Sequence, residues 1–158
     1  MSEIPAPSGL EPTQDERTMA TLAHALQIIG SWIAPLVIFL VNRKSRFVSF
    51  HALQALLLQI VHLVVLVVMM VAWLIIIFST IALHGLNKAA GPPPVAFFIV
   101  FPLLWLGLVL IGIGILVIAI VYSIKAGRGE WAEYPVLGRL ARKMLKIGPG
   151  GAVISPQT

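Results

Sequence analysis

The sequence predicts an all-α integral membrane protein with three transmembrane helices and a C-terminal amphipathic interfacial helix, and three observations carry that reading. The composition is 59% hydrophobic with a mean hydropathy of +0.99 and only 11% charged residues, against roughly 25% charged in a soluble domain. Three apolar segments, Met19–Val41, Ala52–Leu83 and Val95–Ile124, contain no charged residue, and each exceeds the ~20 residues a helix needs to cross a ~30 Å core. Basic residues are also distributed unevenly between the connecting segments. Arg43, Lys44 and Arg46 follow the first segment, and Lys125, Arg128, Arg139, Arg142, Lys143 and Lys146 follow the third. The N-terminal arm carries four acids and only Arg17. With three spans this places the N-terminus outside and the C-terminus in the cytoplasm of a bacterial inner membrane.

Taken in order, residues 1–16 form a Pro-rich acidic arm expected to be disordered. Thr13 and Glu16 have capping-box spacing and start the first helix. Acids precede the first hydrophobic run where a secretory signal would carry bases, so that run is expected to stay in the mature protein. The second segment has no Gly or Pro between Ala52 and Leu83 and is too short for two crossings, so it reads as one long helix. Phe47, Phe50 and His51 before it are expected to form an interfacial turn. "NKAAGPPPV" reads as a rigid turn whose Pro94 starts the third helix. The membrane domain occupies 17–147, and 148–158 form a flexible tail.

Polar residues inside these apolar segments are the candidate functional features. At about 100° per residue, His51, Gln54, Gln59 and His62 project near 0°, −60°, 80° and 20°, on one face of the second helix. His24, Gln27, Ser31 and Pro35 form a similar stripe on the first. An antiparallel hairpin would set the stripes against each other, with Gln27 and His62 at similar depth. Interhelical hydrogen bonding is the structural reading, and a polar groove the functional one. No Asp or Glu lies in the spans to support a proton relay, and the His spacing does not suit a metal. No catalytic constellation, cofactor motif or nucleic-acid signal is present, so a non-enzymatic role without cofactor or metal is expected. The chain has no cysteine, which removes disulfides, thiol catalysis and thiolate ligation. Gly107, Gly112 and Gly114 thin the third helix and are expected to pack against the chain's own helices.

Residues 134–147 place Val136, Leu137, Leu140, Ala141, Met144 and Leu145 on one side and Arg139, Arg142, Lys143 and Lys146 on the other. This predicts a surface helix contacting anionic lipid.

"FVSFHALQALLL" (Phe47–Leu58) followed by "KAGRGEWAEYPVLGRL" (Lys125–Leu140) resembles the Tic-twenty-like family of small multi-pass membrane proteins, related to the chloroplast inner-envelope translocon's twenty-kilodalton subunit. The resemblance implies a protein that works with membrane partners or copies of itself. On it His51, Gln54, Lys125, Gly129, Tyr134 and Pro135 match the family pattern, Gly129 allowing a bend and Pro135 opening the surface helix. An accessory or scaffolding subunit is expected, the alternative being a translocation component with a polar groove for a polypeptide or small solute.

Overall fold

The computed structural model describes residues 11–86 and 95–148, all helix or connecting turn. Six helices follow in order: α1 (Gln14–Ala25), α2 (Gln27–Gly30), α3 (Ile33–Val41), α4 (Arg46–Leu86), α5 (Val95–Gly127) and α6 (Leu137–Leu145). The readings made for most of the N-terminal arm, for the Pro-rich turn with Pro94, and for the tail lie outside the described residues.

The second and third apolar segments are single helices long and apolar enough to cross a membrane, Arg46–Leu83 and Phe98–Gly127. The first is not one helix. It breaks into α1, α2 and α3, whose twelve and nine residues in α1 and α3 rise about 18 and 14 Å, short of a ~30 Å core. Ser31, between α2 and α3, has φ 49° and ψ −133°, an unusual conformation for a residue with a Cβ. Gly30 beside it is required by contact, since an added Cβ would come within 2.7 Å of the Ala34 Cβ. Pro35 falls in the first turn of α3, where a missing N–H costs nothing. The chain therefore doubles back, and α1 packs along α3.

Its two ends are joined. Thr13 and Glu16 form the capping box of α1, with Thr13 N–H donating to Glu16 Oε2 at 2.8 Å. The other oxygen of Glu16 accepts from Ser45 Oγ at 2.6 Å, while Ser45 Oγ accepts from Val48 N–H and so caps α4. One carboxylate thus ties the start of α1 to the start of α4. The pull of the Ser45 hydroxyl, then of the Thr13 N–H, lowers the Glu16 pKa.

The chain divides into two compact units. Unit 1 comprises Met1–Gln59 and Leu116–Thr158. Alanines let its helices approach closely: Ala20, Ala23, Ala52, Ala55, Ala119, Ala126 and Ala141 have no exposed surface. Ala23, Ile38, Val48 and Ala52 join α1, α3 and α4, whereas Phe50, Leu53, Ala141 and Ile147 join α4 to α6. Phe47 and Phe50 are buried here, packed inside the unit instead of being presented at its surface. The arm's last residues also lie at this end, because a Cβ on Gly129 would meet both the Arg17 side chain and Pro12. Glu16 and Ser45, before and after the first segment, thus lie together.

Unit 2, Ile60–Ile115, holds the central parts of α4 and α5. Between them runs an apolar groove of about 490 Å³ whose walls include Met70, Trp73, Phe101 and Trp105. Gly107, Gly112 and Gly114 meet no neighbour where a Cβ would stand, so the expected close packing on the chain's own helices is not seen.

Candidate functional site

The buried polar residues gather in unit 1, where α1, α4, α5 and the segment 128–136 meet. His24, Gln27, His51 and Gln54 are at most 1% exposed, and Gln59 is 6% exposed. The segment reaches them because α5 ends in a left-handed turn at Gly129 (φ 81°), with Gly129 N–H bonded to Ala126 O and Glu130 N–H to Lys125 O. Gly129 supplies the expected bend.

His51 Nε2 lies 3.1 Å from the Glu130 carbonyl. A carbonyl only accepts, so this nitrogen carries the proton and Nδ1 is free to accept. His24 Nε2, 3.0 Å from that Nδ1, is then the donor. His24 Nδ1 in turn accepts from Tyr134 Oη at 2.9 Å. The Gln27 amide donates to the Tyr134 oxygen over 3.5 Å, which is long. Burial pushes the Tyr134 phenol well above its ordinary pKa, against a smaller opposing effect of the Gln27 amide, and this keeps it an O–H donor. The result is one chain of donors from the Gln27 amide to the Glu130 carbonyl, with both imidazoles neutral.

Gln54 works in parallel. Its Oε1 accepts from Tyr134 N–H at 2.7 Å and its Nε2 donates to the Ala132 carbonyl at 3.2 Å, so one side chain pairs the backbone on both sides of Glu133. Gly138 makes room for it, since a Cβ there would come within 2.9 Å of Gln54 Oε1 and 2.7 Å of Glu133 Cβ. Gln59 Nε2 donates to the Gln27 carbonyl at 3.2 Å. Tyr122 Oη donates to the Glu133 carbonyl, and Thr21 and Ser123 exchange hydroxyl-to-carbonyl bonds between α1 and α5. Gln27 Oε1 and the indole nitrogen of Trp131 are buried without a partner.

The predicted stripes are therefore brought together, with exceptions. His62 is half-buried and has no hydrogen-bond partner among the described residues, and Ser31 is exposed in the turn. The depth match is Gln59 with Gln27, not Gln27 with His62. Lys125 lies over the Tyr122 ring, 5.4 Å from its centre. Pro135 precedes the N-cap Val136 and does not open α6. Arg43, Lys44, Arg46, Arg139, Lys143 and Lys146 are exposed. Arg142 instead turns inward, pairing with Glu133 and the Gly148 carbonyl with its guanidinium 4.9 Å from the Phe50 ring centre.

Sequence reasoning missed Tyr122, Thr21, Ser123 and the accepting carbonyls of 130 and 132. One signal was available: the chain's two tyrosines, Tyr122 and Tyr134, flank the turn, and a buried phenol needs a partner.

Chemically, the arrangement is closed. Both nitrogens of His24 and of His51 are engaged within the protein, leaving no lone pair directed at a ligand. The donor chain ends on a peptide carbonyl, which cannot pass a proton on. Among the described residues, no three of His, Asp or Glu converge as metal ligands.

No curated protein and no solved structure matches the chain. A family model described as the magnetosome magnetite crystal formation protein family, MamF/MmsF, matches residues 15–141. That match takes in both stretches on which the translocon-like resemblance rested and replaces it; the Tic-twenty-like assignment was incorrect, and the translocation role it implied falls with it. The chain belongs to the MamF/MmsF magnetosome magnetite crystal formation family.

Proposed function

We propose that this chain is a membrane-integral, non-enzymatic structural subunit of the magnetosome machinery that forms magnetite crystals. The observation that supports it is the closure of the polar site. His24, His51, Gln54 and Tyr134 bind one another and the backbone of 128–136, so they brace unit 1 and offer nothing to a substrate. Among the described residues of unit 2, Val64, Val68, Ile75 and Phe78 on α4 and Leu103, Leu110 and Ile113 on α5 are exposed, as lipid-facing or subunit-facing helices require.

The topology that follows has two crossings, α4 and α5, with α1–α3 folded back beside the first turns of α4 at the membrane surface. Residues 11–16, Arg43–Arg46 and α6 then share the cytoplasmic face, since the bases dominate there.

Solubilisation of magnetosome membranes in mild detergent after cross-linking tests the role. The expected result is co-elution with other membrane subunits in fixed ratio. A lone chain that by itself turns over iron would overturn the proposal.

A further inference from the structure

We infer that α6 is a binding surface for anionic phospholipid headgroups, built from Arg139, Lys143 and Lys146 together with the apolar stripe Val136, Leu140 and Met144. This inference rests on the membrane-integral reading above. It differs from a general basic helix in which residues it uses.

α6 is apolar on two sides. Gly138 and Ala141 are buried and Leu137 and Leu145 half-buried, with Ala141 and Leu145 packed in the cluster that α4 provides. Arg142 belongs to that inner side, held by Glu133 and the Gly148 carbonyl. At 100° per residue the outward arc runs from Lys146 through Arg139 and Lys143 to Val136, Leu140 and Met144. Val136 is 73%, Leu140 43% and Met144 56% exposed. Neighbouring cations and large apolar side chains on one exposed arc match the boundary between headgroups and acyl chains. No acid lies on the arc, because Glu133 is engaged by Arg142 and Glu130 sits 3.9 Å from Arg128.

The place of the helix favours lipid over a protein partner. Ile60–Leu83 of α4 alone rises about 36 Å, enough for a ~30 Å core. The turns of α4 against which α6 packs, around Phe50 and Leu53, then fall at the bilayer surface. The C-terminal end of α6 is fixed there by a left-handed residue, Lys146 (φ 53°), whose N–H bonds to Lys143 O while Ile147 N–H bonds to Arg142 O and its side chain returns to the core. Three cations at a negative surface raise the population of the bound helix and make it sensitive to salt.

The absence of cysteine allows a direct test on the full chain. A spin label at Met144→Cys is compared with one at Val61→Cys on α4, in phosphatidylcholine vesicles with and without about one-third phosphatidylglycerol. With anionic lipid, the Met144→Cys label should gain oxygen accessibility and lose access to an aqueous nickel reagent, and about 1 M salt should reverse this. The R139Q/K143Q/K146Q chain should lose the lipid dependence while the Val61→Cys label stays in the acyl region. Immersion of Met144→Cys regardless of lipid charge would overturn the inference. So would a label that stays aqueous in both vesicles, as a surface reserved for a protein partner would. If the Val61→Cys label is itself aqueous, the membrane-integral reading fails instead.

Discussion

His51 occupies the position where three parts of the chain are joined: its Nε2 holds the Glu130 carbonyl and its Nδ1 holds His24. Replacing it by Leu leaves a buried carbonyl and a buried imidazole N–H unpaired, and each such loss costs about 1–3 kcal/mol. His51→Leu should therefore lower the melting temperature in detergent sharply, measured by circular dichroism. Tyr134→Phe removes only the hydroxyl that donates to His24 and should cost about 1–2 kcal/mol in the same assay. Gln54→Glu is a sharper probe because the side chain keeps its size. Only its protonated form can accept from Tyr134 N–H and also donate to the Ala132 carbonyl, so Gln54→Glu should lose stability as pH rises and the carboxyl ionises; stability independent of pH would refute the assigned bonds. At this scale the sequence was partly legible. Helical spacing alone put His24 with Gln27 and His51 with Gln54 on shared faces. It could not supply Tyr134, which meets His24 across 110 residues of chain, nor the peptide carbonyls, which every residue possesses.

Among the elements, α4 and α5 followed from apolar length, which in α5 outweighs Pro102, Gly107, Gly112 and Gly114. The first segment has the same composition but a different outcome. Its mean hydropathy hid a local break, where Gly30 approaches Ala34 closely and Ser31 takes a positive φ, and its base is closed by Glu16, which had been read only as a cap. That closure carries a pH dependence. A carboxyl whose pKa is depressed by folding stabilises the fold above its ordinary value of 4.5 and loses that contribution as pH falls below it. Glu16→Gln should flatten the loss of stability of unit 1 below that pH, and the effect should be small because the carboxyl is partly exposed to solvent. The segment 128–136 depends on two glycines. Gly138→Ala must displace Gln54 or Glu133 and should cost about 1–3 kcal/mol. Gly129→Ala adds a Cβ at φ 81° and against Arg17, costing about 1–2 kcal/mol from the backbone alone. Thermal unfolding of both variants checks these values.

For the whole molecule, the polar stripe joins the first segment to the start of α4. Charge counting along the sequence assigned the acidic arm and the basic loop to opposite sides, because it assumed that every long apolar run crosses. The bonds of Glu16 to Ser45, His24 to His51 and Gln59 to Gln27 keep α1 beside the start of α4, and Pro12 and Arg17 beside Gly129. His24 with His51 and Gln59 with Gln27 are buried, where an unpaired polar group is costly. Family membership accords with a membrane role in crystal formation. The most direct measurement is the labelling of single cysteines introduced at the exposed positions Glu11 and Lys143 with a membrane-impermeant maleimide, in sealed vesicles of known orientation before and after permeabilisation. The hairpin predicts that both positions react from the same face. Reaction from opposite faces would show that the first segment crosses the bilayer and would contradict the account.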